Sequence, residues 1–324
     1  MPPAPSLPPN RLCVSLLLLG VVLAGCGPAA GEAPALRPGA AGAGGYLPPE
    51  RLSATGLFAP GRPDRLAADV QPYTPRFPLW TDGAGKRRFI ALPAGTAVDT
   101  RDPDHWVFPV GTRLWKEFAL GGRPVETRYL VRRPDGDWSF ATYHWDAEGR
   151  DATRAPDAGL PHVAESAPGV PYDLPSLSDC RACHDSGLGP VLGYRRVQLE
   201  PEGANEDVES RALGYLHGNC AHCHNAHGPL ASLELDVELR QAGSAVDAQR
   251  IRRTLIDVLS RGTAGTRLVP GHPEASVLLR RVRSTSPLDR MPPRGTRLVD
   301  ADGAELLATW VRALEAPAPL LSSR

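Results

Sequence analysis

The chain has 324 residues, which is enough for two ordinary domains. Its 36 basic and 36 acidic residues cancel, so no net charge draws it toward nucleic acid or toward an acidic membrane surface. No run of basic residues is typical of a nucleic-acid footprint, and we expect no nucleic-acid partner.

Residues 1–25 are typical of an export signal. Arg11 precedes an apolar stretch, residues 12–25, that is shorter than the roughly 20 residues needed to span a membrane. The stretch runs into Leu-Ala-Gly-Cys, which resembles a bacterial lipobox and implies cleavage before Cys26 and acylation of that cysteine. Several acyl chains make a stable bilayer anchor. The alternative is an ordinary secretory signal followed by an incidental cysteine. Gly27 favours the outer membrane, by analogy with bacterial lipoproteins.

Residues 26–66 are predicted to be a lipidated tether, because Ala, Gly and Pro dominate up to about residue 48 and leave too little apolar content for a core.

Residues 67–200 are predicted to form a mostly antiparallel β domain, since strand-like segments alternate there with turn signals. Residues 155–178 are rich in proline and are predicted to be irregular. The predicted strands are residues 86–92, 105–108, 113–119, 124–133 and 137–145.

Five of the six tryptophans fall in this β-rich stretch. They are predicted to fill the core of the sheet. The alternative is that some of them line a cofactor pocket. The five are Trp80, Trp106, Trp115, Trp138 and Trp145.

Residues 205–324 are predicted to form an all-α domain. Apolar residues recur there at three- and four-residue spacing, most clearly over residues 302–314. The fold class we expect is therefore α+β with two domains, the β domain first. The predicted helices are residues 208–218, 247–261, 273–282 and 302–314.

The cysteines point to one kind of chemistry. Cys13 falls in the signal and Cys26 is the predicted lipid site, while the other four form two Cys-x-x-Cys-His motifs at residues 180–184 and 220–224. Covalent haem c needs two thiols for its vinyl groups and an adjacent imidazole for its iron, and this spacing supplies them. We therefore expect two covalently bound haem c groups. The predicted attachment residues are Cys180, Cys183, Cys220 and Cys223, with His184 and His224 on the irons.

Two other readings use the same cysteine pairs. A four-cysteine zinc site would not need a histidine after each pair, and both pairs have one. Redox-active cysteine pairs would suit a thioredoxin-like protein, but no thioredoxin pattern surrounds them. Haem attachment also takes place outside the bacterial cytoplasm, which agrees with the predicted export.

The second haem, haem 2, has a candidate second axial ligand in Met291. It is the only methionine beyond the initiator, and prolines stiffen its loop at residues 289–295. His272 is the rival. Ligation by His and Met raises the reduction potential relative to two histidines.

The first haem, haem 1, has no such methionine. Only 35 residues separate His184 from Cys220, so the β-rich region before the motif must enclose most of haem 1. Three possibilities stay open for its second axial position. It is filled by His162, filled by His217, or left open.

Several segments of the chain resemble known families. Residues 108–118 and 136–141, followed by the first motif, resemble the β-sheet cytochromes, both the c-prime-beta proteins and the type with a lysine–haem cross-link. That resemblance covers about residues 70–190 and implies a haem motif at the end of a β domain, with an iron open on one side. It makes Lys116 the residue to examine for a cross-link, although a solvent-facing strand lysine is the favoured interpretation.

The C-terminal part resembles a class I cytochrome c domain, from its haem motif through helices and a late methionine to a closing helix. Residues 77–84 and 215–220 resemble a family of dihaem c-type cytochrome lipoproteins. These resemblances imply electron transfer with redox partner proteins. We therefore expect a periplasmic carrier held to the bilayer through Cys26. The alternative is a haem enzyme acting on peroxide, hydroxylamine or nitric oxide, or a gas sensor, at an open haem 1.

Overall fold

The computed structural model describes residues 46–103, 105–201 and 206–314. The predicted signal peptide and Cys26 lie outside these residues. From Tyr46 onward the described chain forms one compact unit, and a boundary between two domains near residue 200 stays a prediction. None of the described helices is both long and apolar enough to cross a membrane.

Antiparallel strands dominate the first half of the described chain and helices the second, as the sequence predicts. The strands are β1 (Phe58–Ala59), β2 (Arg62–Leu66), β3 (Gln71–Pro72), β4 (Gly85–Ala91), β5 (Arg113–Leu120), β6 (Arg123–Arg132), β7 (Trp138–Trp145), β8 (Ala152–Arg154), β9 (Leu160–Ala167) and β10 (Val170–Leu174). The helices are α1 (Leu177–His184), α2 (Arg196–Leu199), α3 (Val208–Cys220), α4 (Ala245–Leu255), α5 (Val277–Val282) and α6 (Ala301–Ala313).

Strands β3 to β8 form one antiparallel sheet in which each strand lies beside the next along the chain. At its centre Phe89 lies opposite Trp115, and Trp115 lies opposite Tyr129. These rings lie on one face with Tyr143 and Trp145 and form a buried aromatic cluster. Each such side chain contributes about 1.5–3 kcal/mol on leaving water. This face of the sheet is the core of the β-rich part.

Two leucines from the predicted tether complete this cluster, which corrects the tether's predicted end at residue 66. Leu52 and Leu57 are both fully buried. The neighbouring Thr55 accepts a hydrogen bond from Trp115 Nε1 at 2.9 Å. The folded part therefore includes the second half of the predicted tether. The local sequence does not indicate this, because the apolar surface that the two leucines cover belongs to a sheet that comes later in the chain.

We call the opposite side of the sheet the motif face. It carries a row of apolar side chains in register across four strands, Ile90, Leu114, Leu130 and Phe140. Cys180 of α1 packs against this row, so the first haem motif lies on the motif face.

The tryptophans divide between the two faces of the sheet. Trp115 and Trp145 are buried in the aromatic core, which is what the main prediction requires. Trp106 and Trp138 lie in the cluster on the motif face that also holds Cys180, as the cofactor-pocket alternative requires. The core prediction is confirmed for Trp115 and Trp145, and the cofactor-pocket alternative stays a prediction for Trp106 and Trp138.

Two predictions in the β-rich part are wrong. Residues 105–108 form no strand, and only Val107 makes an isolated bridge, to Asp99. Residues 155–178 are not irregular, because β9 and β10 form a hairpin within them. Its prolines, Pro161 and Pro171, are tolerated since each strand of a two-stranded ribbon has a free edge where a missing N–H costs nothing.

The helical part follows the predicted helices with two shortenings. The helix predicted over residues 273–282 begins at Val277, after a separate 3-10 turn at Pro273–Ala275. The helix predicted over residues 247–261 ends at Leu255, after which Ile256 bridges to Leu268. Helices α3 and α6 cross closely, because a Cβ at Gly303 would overlap the Tyr215 ring.

Residues 76–82 run along α3 and join it to the β-rich part. A Cβ at Gly214 would overlap the Phe77 ring, and one at Gly218 would lie 2.6 Å from the Phe77 carbonyl oxygen. Trp80 N–H donates to Asn219 Oδ1 at 2.7 Å. The helix that ends in the second motif is thereby fixed against the strand region.

Candidate functional site

The first motif lies on helix α1. Ser176 caps the helix by accepting from Asp179 N–H, while the Asp179 carboxylate accepts from Ser176 N–H. Such a capping box stabilises a helix start by about 1 kcal/mol. Cys180, Cys183 and His184 then follow at the i, i+3 and i+4 positions, which share one helix face. Two thiols and one imidazole are thus presented together.

His184 has the environment of a metal-ligating histidine. Its Nδ1 lies 2.5 Å from the Pro190 carbonyl oxygen and donates to it, so the proton-free nitrogen is Nε2. Its ring packs 5.2 Å from that of Phe140 on the motif face. Burial is the main reason why its pKa is lowered to about 4, and the neutral form is the one that binds metals.

The second motif continues the last turn of α3. The N–H groups of Cys223 and His224 donate to the Cys220 carbonyl oxygen at 3.1 and 2.9 Å, so the helical turn persists through the motif. His224 Nδ1 is buried and has no hydrogen-bond partner among the described residues. Burial, followed by the charges of Arg267 and Arg281, lowers the pKa of His224 to about 4. Unlike His184, the His224 ring has no acceptor among the described residues that would fix its tautomer, but its neutral form is the one that binds metals.

The loop that carries Met291 lies in the neighbourhood of His224. Met291 N–H donates to the Arg281 carbonyl oxygen at 3.0 Å, and Arg281 Nε donates to the Asp289 carbonyl oxygen at 2.9 Å. The same Arg281 acts on the pKa of His224. The rival ligand His272 is exposed. The assignment of Met291 stays a prediction, and these contacts favour it.

Asp82 braces the Met291 loop from the β-rich side, a role that sequence reasoning missed. Its carboxylate accepts from the N–H groups of Arg297 and Leu298 at 2.8–2.9 Å, although its own backbone has a φ of +51°. Its neighbour Trp80 donates through Nε1 to the Leu298 carbonyl oxygen at 3.3 Å. The only signal was the family resemblance of residues 77–84, which names no role for them.

We expect Asp82→Gly to lower the free energy of unfolding by about 2 kcal/mol or more, since two partly buried N–H groups lose their acceptor. Glycine adopts this φ without strain, so backbone conformation adds little. Asp82→Asn is the matched control, because it keeps an acceptor oxygen and tolerates the left-handed region. Urea titration measures both. Equal losses in the two variants would contradict the role of the acceptor and point to the charge instead.

A second contact ties the Met291 loop to the first motif. Arg294 forms an ion pair with Asp179, the capping residue of α1, and Arg297 forms one with Asp173 of β10. The segment that follows Met291 therefore contacts the helix that carries Cys180 and Cys183.

The chain segments that follow the two motifs lie against each other. Asn225 is fully buried, and its Nδ2 donates to the Ser186 carbonyl oxygen at 3.1 Å and to the Ala221 carbonyl oxygen at 2.8 Å. A Cβ at Gly187 would lie 2.6 Å from the His227 carbonyl oxygen. The two motifs, 40 residues apart in sequence, thus adjoin in the structure.

Lys116 is half-buried and does not face solvent, which corrects the favoured sequence interpretation. Register places it on the motif face, between Arg88 of β4 and Arg128 of β6. Its Nζ lies 4.8 Å from the centroid of the Phe118 ring and makes no hydrogen bond or ion pair within the described chain. Burial lowers its pKa well below the usual value, and its charge lowers the pKa of His184.

Neither histidine predicted for haem 1 offers a free nitrogen in a buried pocket. His162 is exposed on β9, with a φ of +53°. His217 is buried, but its Nδ1 accepts from Leu239 N–H at 3.0 Å, so its proton is on Nε2. Nε2 therefore has no lone pair for iron.

The four described cysteines are free thiols. Within the described ranges, no three His, Cys, Asp or Glu side chains converge as a metal ion would need. The thiols are thus available to a covalent cofactor.

One comparison with known proteins gives a match. The model of a family described as Planctomycete cytochrome C matches residues 220–295, from the first cysteine of the second motif through Met291. No curated protein and no solved structure matches the chain. The C-terminal region is therefore of cytochrome c type, which implies covalently bound haem c and is consistent with haem-based electron transfer.

Proposed function

We propose that the chain is a dihaem c-type cytochrome that passes electrons between redox partner proteins in the periplasm and is anchored to the bilayer, in the outer membrane, through acylated Cys26. The observation that carries this proposal is the contact between the chain segments that directly follow the two Cys-x-x-Cys-His motifs. When bound, haem supplies reversible one-electron chemistry, and the protein holds it, fixes its ligands and sets its potential.

If both motifs hold haem, this contact would place the two groups at neighbouring sites, which supports electron exchange between them. Because Asn225 Nδ2 bonds both carbonyl oxygens, those of Ser186 and Ala221 are no more than about 6 Å apart. The pKa of Cys183 is raised first by burial and next by Cys223, so the second cysteines of the two motifs are also near each other. Cys183 and Cys223 would therefore attach the two haems at neighbouring sites.

The surroundings of the two motifs differ in a way that suits a relay. Haem 2 would have Met291 as a second ligand, which favours the reduced iron and a higher potential. Haem 1 would lie between the motif face and the second motif. The residues around the two motifs would thus give the second site the higher potential, as a relay toward a redox partner requires.

Counting haems in the purified, exported protein tests this proposal. We expect two haems per chain in the wild type and one in each of the double variants Cys180→Ser/Cys183→Ser and Cys220→Ser/Cys223→Ser, because each pair attaches one group. Intact-mass spectrometry and haem staining measure this. Cys26→Ala is the control, which should keep both haems and move from the membrane to the soluble periplasmic fraction.

A wild-type protein with one haem would overturn the dihaem proposal. A Cys26→Ala variant that stays in the membrane fraction would overturn the anchor alone.

A haem enzyme at haem 1 is the second candidate. Lys116 favours it, because a buried amine near His184 that makes no hydrogen bond within the described chain could donate one to a small-molecule substrate. Carbon monoxide separates the two candidates, since it binds only where an axial position is open.

A further inference from the structure

The second motif contains a histidine that haem attachment does not use. It is His222, between the two cysteines of residues 220–224. We propose that His222 is the second axial ligand of haem 1, opposite His184. This rests on the proposed function, because it requires a haem at the first motif.

The direction of the His222 side chain follows from the helical turn. Cys220, Cys223 and His224 occupy the i, i+3 and i+4 positions and share a face, as the hydrogen bonds to the Cys220 carbonyl oxygen require. Ala221 and His222 therefore point to the other side of the turn, away from haem 2. That side is covered, because Ala221 is fully buried and His222 is half-buried.

The first motif lies on that covered side. The Ala221 carbonyl, which is bonded to the nitrogen of His222, is joined through Asn225 to the Ser186 carbonyl, two residues after His184. Gly187 packs against the backbone at His227, so the two segments are in direct contact there. The side chain of His222 is thus directed toward the end of α1.

Electrostatics agree with this position. The pKa of His222 is lowered to about 4, first by burial and then by His184, His224 and Lys116. These three groups therefore all lie near the His222 ring, in agreement with the direction that the helical turn gives it.

The ring of His222 is also free to coordinate. Neither of its nitrogens has a hydrogen-bond partner among the described residues, in contrast to Nδ1 of His217. Four of the remaining histidines are exposed, and His144 lies on β7 opposite Thr153 of the edge strand β8. The four are His105, His162, His227 and His272.

Lys116 is the competing ligand from the same neighbourhood. Burial lowers the pKa of its amine, so Lys116 could also offer a lone pair to iron, and the Lys116→Gln variant below separates the two ligands. With His222 in place, Lys116 would lie beside the haem without binding its iron. Two histidines on haem 1 close its axial positions and make it an electron carrier.

The test uses the full-length holoprotein and compares His222→Gly with the control His227→Gln, an exposed histidine of the same loop. EPR of the oxidised protein and carbon monoxide titration of the reduced protein are the readouts. We expect the wild type and His227→Gln to show two low-spin haems and no carbon monoxide binding. His222→Gly should show one high-spin haem and bind one carbon monoxide per chain, and added imidazole should restore the low-spin signal.

Each outcome decides the question. Carbon monoxide binding by the wild type, or a His222→Gly spectrum like that of the wild type, would overturn the ligand assignment. A high-spin haem in Lys116→Gln and not in His222→Gly would assign the position to Lys116. If His222→Gly is produced without haem, His222→Met replaces it, since a thioether would keep haem 1 low-spin but raise its potential. A wild-type protein with one haem would instead contradict the proposed function. The haem count detects that case separately from the ligand assignment.

Discussion

Met291→Ala should convert haem 2 from a six-coordinate into a five-coordinate site and lower its reduction potential. A thioether favours ferrous iron, so its loss stabilises the oxidised form. Axial ligands set haem potentials over about 0.8 V, and we expect a drop on the order of 0.1 V from this one change. A spectroelectrochemical titration of the holoprotein measures the potential, and EPR shows the new high-spin signal.

The chain offers two informative controls for this variant. Arg294→Gln lies three residues away in the same loop and removes the ion pair with Asp179. It should leave the iron ligands in place and keep haem 2 low-spin. His272→Ala tests the rival ligand. If haem 2 became high-spin in His272→Ala and stayed low-spin in Met291→Ala, the assignment of Met291 would be wrong.

Met291→Ala also tests the independence of the two haems. The loop reaches α1 through Arg294 and Asp179, so strong coupling would make haem 1 change as well. We expect its EPR signal to stay, because the neighbours of His184 come from the motif face and from Pro190.

Sequence patterns predicted the centre of the sheet well. Four of the five predicted strands match β4, β5, β6 and β7 within two residues, because alternation of apolar side chains is a local signal. Spacing alone likewise predicted haem attachment at residues 220–224, where the family match implies covalently bound haem c, since covalent attachment requires neighbouring residues.

The side of the sheet to which Lys116 points could not be predicted from the local sequence pattern. Its neighbours Trp115 and Glu117 are both buried on the opposite side of the strand. Both faces of the sheet are therefore covered, by the aromatic core on one side and by α1 on the other. In such a sheet a polar residue does not mark the solvent side, and only register and packing assign it.

The roles of Asp82 and His222 depend on contacts between distant parts of the chain. Asp82 binds backbone groups more than 200 residues away, and the surroundings of His222 come from a helix 40 residues earlier. A short Cys-x-x-Cys-His motif specifies the residues that would attach its own haem. It does not specify which residues pack on the other side of its helical turn. That is why sequence reasoning considered His162 and His217 for haem 1 and passed over His222.

Glu126→Leu should cause the largest loss of stability in the β-rich part. Glu126 is fully buried on the motif face, where its carboxylate accepts from Arg128 Nε at 2.6 Å and from the Tyr172 hydroxyl at 2.5 Å. Leucine leaves a guanidinium and a hydroxyl without an acceptor. Removing one partner of a buried ion pair costs about 3–5 kcal/mol. Urea unfolding, followed by tryptophan fluorescence, measures the loss.

Two further variants separate the charge from the hydrogen bonds. Tyr172→Phe removes one hydrogen bond and should cost about 1 kcal/mol. Glu126→Leu/Arg128→Met removes both charges and should recover much of the loss, since no unpaired guanidinium stays behind. Arg128 is among the charges that act on the pKa of Cys180. An unpaired Arg128 should therefore also disturb the site where haem 1 is attached. A double variant no more stable than Glu126→Leu would mean that packing, and not the buried charge, accounts for the loss.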